Sequence, residues 1–291
     1  MIFQLTNMQF INSGLRVRFD CTVCNANRTF ARKIQGMELF FRKYGESGKK
    51  LMILHGLFGM SDNWHQVSQL LDDTNIVYNT ELRNHGQSPH SHEMNYSLMA
   101  DDIAETLDSL SLDKINILGH SMGGKAVMTF ALNYPERVEK LVVADIGIKA
   151  YRRGHDEIFD AIIPLKLSEY ATRGEIDKHL TPLLPEFTTR QFILKNLARN
   201  EKGEFYWKMN VTDIFKNYDN IIAPVDSSKT FTGPTLFIRG ENSNYIKDED
   251  WDGIKKIFPN ANLETIPGAG HWVHADQPTE LVNTVKEFIN S

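Results

Sequence analysis

Ser121 stands in the pentad Gly119-His120-Ser121-Met122-Gly123, between the apolar run Ile115–Leu118 and a segment with helical spacing. A serine placed between glycines where a strand gives way to a helix suits nucleophilic chemistry. The bend forces its central residue into strained backbone geometry, and flanking glycines remove the Cβ atoms that would clash. Such a bend lifts the Ser121 hydroxyl clear of a sheet. The Met122 amide then begins a helix and points at any oxyanion formed there. The competing reading is an ordinary helix-capping serine. What separates the two is the rest of the chain, because a hydroxyl needs a base and the base needs an orienting carboxylate.

Both are present. His271, in the glycine-rich "PGAGHWVH", alone among ten histidines combines a strand-end loop, close glycine flanks and a position after the acid. His274 lies three residues further on and reads as packing or capping. His120 reads as packing, and His55 and His85 as hydrogen-bonding residues of strand-end loops. The acid is commonly found after the strand before the final one, but "FIRGENSNYIKDED" offers Asn242, Ser243 and Asn244 where an aspartate would be expected. Glu241 follows Gly240 too closely, and Asp248 and Asp250 come late. One strand earlier, "LVVADIG" ends a buried strand on Asp145. A carboxylate there is costly unless partnered, so Asp145 is the expected acid. A second oxyanion donor is expected from "LHGLFG", where the backbone N–H of Leu57 follows the His55-Gly56 turn, with Phe58 as the fallback.

These residues require a scaffold that delivers loops to one edge of a sheet. From Met37 onward, short apolar strands ("KLMILHG", "KINILGH", "KLVVADI", "PTLFIRG") alternate with helical patterns such as Met122–Asn133 and a closing helix from Pro278. Strands unbroken by polar residues and alternating with helices predict a mostly parallel α/β sheet covered on both faces. In such sheets ligands bind beyond the carboxyl ends of the strands. Residues 147–232 break the rhythm, with helical patches ("EIFDAIIPL", "TTRQFILKNLAR", "FYWKMNVTDIFKNY") and no buried strand. That is too long for one connection, so a helical cap is expected on a core of 37–146 and 233–291. Phe192 and Trp207 in the cap, together with Phe58, are expected to contact substrate.

Residues 1–36 differ in charge from the remainder of the chain. They carry five Lys and Arg against Asp20 alone, whereas residues 37–291 carry 27 basic and 36 acidic side chains, a net charge of −9. An Arg-rich, acid-poor leader has the composition of an organelle transit segment, which would place the protein in a matrix compartment. Met37 opening an ordinary strand fits in-frame upstream sequence equally, and both readings stay open. Cys21 and Cys24, the only cysteines, lie in this leader, so the body has no disulfide framework and a cytoplasmic setting is expected. A net charge of −5 gives no nucleic-acid footprint. No apolar run approaches the roughly 18 residues of a membrane span. The oligomeric state is left open.

The runs "LHGLFG", "ELRNHGQSPHS", "LGHSMGGKAVM", "YPERVEKLVVADI" and "GAGHWVHADQP" stand in an order that resembles the α/β-hydrolase superfamily from Met37 to the C-terminus. "LGHSMGGK" and the acid in "VVADI" are similar to a branch of small acyl esterases that includes bacterial esterases and mitochondrial abhydrolase-domain proteins. Glu81 departs from the family's usual aspartate, with an expected effect on loop packing rather than chemistry. The resemblance implies hydrolysis of short- to medium-chain acyl esters, and of some acyl-CoA thioesters, by Ser121, His271 and Asp145, with the Leu57 and Met122 amides on the oxyanion. No metal or organic cofactor is implied. The alternatives are a C–C hydrolase, a lyase or a cofactor-free haloperoxidase on the same three residues, or a receptor that keeps the fold to bind a ligand.

Overall fold

A computed structural model describes residues 36–225 and 228–291; the leader reading and the two cysteines fall outside the described residues. Seven strands form the main sheet: β1 (Phe41–Tyr44), β2 (Lys49–Leu54), β3 (Asn75–Thr80), β4 (Ile115–His120), β5 (Val138–Ala144), β8 (Thr235–Gly240) and β9 (Ala261–Ile266). They lie in the order β1-β3-β2-β4-β5-β8-β9, with β1 antiparallel to β3 and every other pair parallel. β6 (Leu197–Arg199) and β7 (Phe205–Trp207) form a separate hairpin. This is the expected mostly parallel α/β architecture.

Side chains of the central strands alternate between two apolar clusters, one on each face. Met52, Leu54, Ile117, Leu141 and Val143 join one cluster. Their neighbours Leu51, Ile53, Leu118, Val142 and Ala144 join the other. Burial on both faces explains why these strands read as continuous apolar runs. Helices α1 (His65–Leu71) and α11 (Pro278–Asn290) supply the second cluster, whereas α2 (Tyr96–Ser109) and α3 (Met122–Asn133) supply the first. Two further helices, α9 (Trp251–Ile257) and α10 (Val273–Asp276), come after β8 and β9.

Between β5 and β8 the chain forms α4 (Asp156–Ile162), α5 (Arg173–Leu180), α6 (Phe187–Leu194), the β6–β7 hairpin, α7 (Val211–Lys216) and α8 (Tyr218–Ile222). Phe159, Ile176 and Ile193 of this insertion are buried in the same cluster as Leu54 and Phe130, so it shares the core's apolar face. The hairpin corrects the helical reading of Phe205–Trp207. Its turn is set by Asn200, whose Oδ1 accepts from the amides of Lys202 and Glu204, and by Gly203 at φ +80°. That local turn chemistry overrides the apolar spacing.

Candidate active site

The register of the sheet brings the first two residues together. β4 and β5 are paired neighbours, and the Ser121 amide extends their ladder by donating to Ala144 O at 3.0 Å. Asp145 comes directly after Ala144, and its own amide donates to Ile238 O on β8 at 2.7 Å. Ser121 holds φ 54° and ψ −119°, a left-handed conformation that costs a non-glycine residue about 1–3 kcal/mol. The glycines around it are fixed by sterics. A Cβ at Gly119 would lie 2.2 Å from Gly123 O, and one at Gly123 would lie 2.5 Å from Leu54 O.

His271 arrives from the loop after β9. That loop is tied across the end of β8 by the Asn242 amide, which donates to Ala269 O at 2.8 Å. His271 Nε2 lies 3.1 Å from Ser121 Oγ, and Nδ1 lies 2.7 Å from Asp145 Oδ2. With Asp145 as acceptor, Nδ1 carries the proton and Nε2 is free to accept from the serine hydroxyl. Asp145 is fully buried, and its remaining acceptor sites are filled. The Gly240 amide donates to Oδ1 at 3.0 Å and the Ser243 hydroxyl donates to Oδ2. Asp248 and Asp250 point elsewhere, to Arg239 and Lys149 respectively.

Two aromatic contacts hold the imidazole of His271. Tyr245 stacks on it with ring centroids 3.7 Å apart and planes 12° apart. His120 packs at 4.8 Å, and its Nε2 donates to the His271 carbonyl at 2.8 Å. Burial pushes His120 well below the ordinary histidine range, so it stays neutral and holds this single tautomer. Its expected packing role therefore includes a hydrogen bond. His274 stacks on Trp64 at 4.5 Å, in keeping with its reading as a packing residue.

The loop after β2 is braced by the other two histidines. His55 Nδ1–H donates to Gly56 O at 2.7 Å, while its Nε2 accepts from the Leu82 amide at 3.1 Å. His85 Nδ1–H donates to Arg83 O, and its Nε2 accepts from the Phe58 amide at 3.3 Å. Burial pushes His55 down to about 4 and His85 to about 3, which suits these neutral tautomers. Phe58 adopts φ 61°. Its amide is thus committed to His85, whereas those of Leu57 and Met122 have no acceptor among the described residues. Gly56 passes close to Ser121, since a Cβ there would lie 3.2 Å from Ser121 Cβ. Glu81 accepts from Ser61 N, Ser61 Oγ and Gln87 N, the loop-packing role expected of it.

Among the described residues, two cavities are lined by Ser121. The larger, of about 570 Å³, is lined by His271, Phe58, Phe192 and Trp272 among others. The smaller, of about 130 Å³, is lined by Leu57, Met122, Lys125 and Tyr151 among others. Phe58 and Phe192 thus both line a cavity that reaches Ser121. Trp207 does not: it lines neither cavity, because β7 pairs it with Leu197 and turns it onto the apolar cluster. Two supporting residues escape sequence reasoning, Ser243 and Tyr245. Ser243 reads in the sequence only as a missing aspartate, and no local pattern marks Tyr245 as a ring that stacks on His271.

The sequence profile of the alpha/beta hydrolase fold family matches residues 49–278. The chain belongs to the α/β-hydrolase family. Among relatives of this α/β-hydrolase, Esterase YbfF of Escherichia coli (strain K12) is 38% identical over 242 residues, covering 82% of this chain and 92% of its own. The sn-1-specific diacylglycerol lipase ABHD11 of Danio rerio is 36% identical over 247 residues, covering 82% and 78%. A solved structure of a marine microorganism esterase superimposes with a TM-score of 0.84 at 45% identity, covering 86% of this chain and 99% of that one. No helix among the described residues of this α/β-hydrolase is long and apolar enough to cross a membrane.

Proposed function

We propose that this α/β-hydrolase is a serine carboxylic-ester hydrolase in which Ser121, His271 and Asp145 form the catalytic triad. Ser121 Oγ attacks the ester carbonyl while His271 Nε2 takes its proton. Asp145 holds the imidazole tautomer and stabilises the imidazolium. The amides of Leu57 and Met122 stabilise the tetrahedral oxyanion. His271 returns the proton to the leaving alcohol, and water then releases the acyl group by the reverse sequence. The observation that carries this reading is the continuous hydrogen-bond chain from Ser121 through His271 to a fully buried Asp145. A receptor would need neither the base nor the buried acid. The esterase and lipase relatives favour ester substrates, and residues 147–232 act as the cap that selects among them, because Ile158, Leu184 and Phe192 line the larger cavity at Ser121.

Labelling with a fluorophosphonate and mapping of the adduct by peptide mass spectrometry tests the assignment. The adduct is expected on Ser121, and Ser121→Ala should lose at least about 10⁴-fold in p-nitrophenyl butyrate turnover while melting as before. Labelling at another serine, or full activity in Ser121→Ala, would falsify the triad.

A further inference from the structure

The two cavities that meet at Ser121 carry opposite charge. Lys125 and Arg152 line the smaller one, and no carboxylate does so among the described residues. Glu157, Glu186 and Asp276 line the larger one, with no lysine or arginine. Glu186 caps α6 by accepting from the Thr188 and Thr189 amides, which hold its carboxyl down at about 2. Asp276 accepts from the Gly270 amide at 2.8 Å. His155 borders both cavities and is pushed down to about 4 by burial, so it adds no charge at neutral pH.

Lys125 is the unusual member of this set. It is only 1% exposed, and its Nζ donates to the carbonyls of Lys149 and Ala223 and sits 4.8 Å from the Tyr151 ring centroid. Carbonyls and a ring face satisfy donors but do not cancel a charge. No carboxylate offsets its charge among the described residues, and burial alone lowers it to about 7. A buried ammonium without a counter-charge is costly, and an anion bound beside it would offset that cost. Lys125 stands four residues beyond Ser121 on α3, its amide donating to Ser121 O at 3.1 Å, a rise along the helix of about 6 Å. A cavity of 130 Å³ equals the volume of about four water molecules at ~30 Å³ each. Ser121, Lys125 and Arg152 line this one cavity, and its volume suits a chain of two or three carbons ending in a small anionic group.

We propose that the two cavities sort the halves of the ester by charge: the smaller takes a short acyl chain ending in a carboxylate, and the larger takes an uncharged or cationic leaving group. The substrate class is the half-ester of a short dicarboxylic acid. This rests on the ester-hydrolase reading above and specifies its substrate. The bond broken is the acyl C–O bond at Ser121, and the distal carboxylate stays intact beside Lys125 and Arg152.

The test compares monomethyl succinate with methyl 4-methylpentanoate, in which an isopropyl group replaces the carboxylate at nearly equal size. Wild-type kcat/KM should be at least about tenfold higher for the half-ester. Arg152→Glu, an exposed change away from the core, should bring the ratio toward one. Lys125→Met should do the same if it folds. On the alcohol side, 2-(trimethylammonio)ethyl butyrate should be favoured over 2-sulfoethyl butyrate. A readout independent of turnover is calorimetric binding to the Ser121→Ala protein, where monomethyl succinate should bind more tightly than the isopropyl analogue. Equal handling of the two acyl groups in both assays overturns the charge sorting. Loss of all hydrolysis together with absence of labelling at Ser121 overturns the esterase reading instead, and the calorimetric comparison still decides the sorting.

Discussion

The carboxyl ends of the central strands and the insertion between β5 and β8 are built on opposite terms. At the strand ends, Phe58, Ser121 and Asp145 are all held at positive φ, and Asp145 and His55 are 0% and 1% exposed with every polar atom directed. The insertion uses helices of at most eight residues and leaves Leu183, Phe187 and Tyr206 exposed. One region fixes a few atoms against strain; the other covers them with short elements that share the core's apolar face. Chemistry should therefore be lost through the first region, and only its choice of substrate altered through the second.

The sharpest break between the two regions comes at the acid. Asp145→Asn should lower kcat by about 10³- to 10⁴-fold by favouring the wrong imidazole tautomer. Asp248→Asn and Asp250→Asn should stay within about threefold of wild type, since they pair with Arg239 and Lys149 and not with His271. A large loss in either of these in steady-state assays would move the acid to the β8 end.

Acid should also strike the strand ends first. His55, His85 and His274 are pushed down to about 4, 3 and 3 by burial, and His155 of the insertion to about 4. The unfolded chain takes up protons below the ordinary histidine pKa, and the folded chain does not. Stability is therefore full above about pH 6.5 and falls as pH drops toward 4. Thermal melts should show Tm lower by about 10 °C or more at pH 4.5 than at pH 7. His155→Gln should recover only a minor part of that fall. Recovery of most of it would shift the weight from the strand ends to the insertion.

The smallest effect belongs to the insertion itself. Phe192→Ala opens the larger cavity beside Trp272 and should change kcat/KM for bulky alcohol groups by about three- to tenfold, leaving methyl esters nearly untouched. Trp207→Ala should leave the profile where it was. A specificity profile that moves with Trp207 and not with Phe192 would reverse their placement.

The strand-end arrangement of Ser121, Asp145 and His271 is legible in the sequence because each part has a local cause. The "GHSMG" pentad announces its bend through steric need, and the lone carboxylate ending "LVVAD" announces a partner through its burial. His271 is identified by loop position. The strands are legible because burial on both faces leaves no room for polar residues. What escapes depends on the meeting of distant segments. Tyr245 stacks on a residue 26 positions away, and Ser243 completes the shell of Asp145 from 98 positions away. The β6–β7 hairpin is hidden because its aromatic residues share a helix-like spacing with Met209–Phe215, and the turn at Asn200–Gly203 decides the outcome. Lys125 ends the run "LGHSMGGK", yet nothing in that run indicates that the side chain folds under the insertion rather than out to water.

The positive φ values at Phe58, Ser121 and Asp145 also bear on how the protein can be engineered. At Ser121 and Asp145 a glycine would relieve the backbone strain, so a search guided by heat resistance alone is drawn toward two of the three residues that form the hydrogen-bond chain. Screening for thermotolerance without screening for turnover would thus tend to enrich inactive scaffolds. Durable variants are better sought far from these three turns, in the short insertion helices and their exposed apolar side chains.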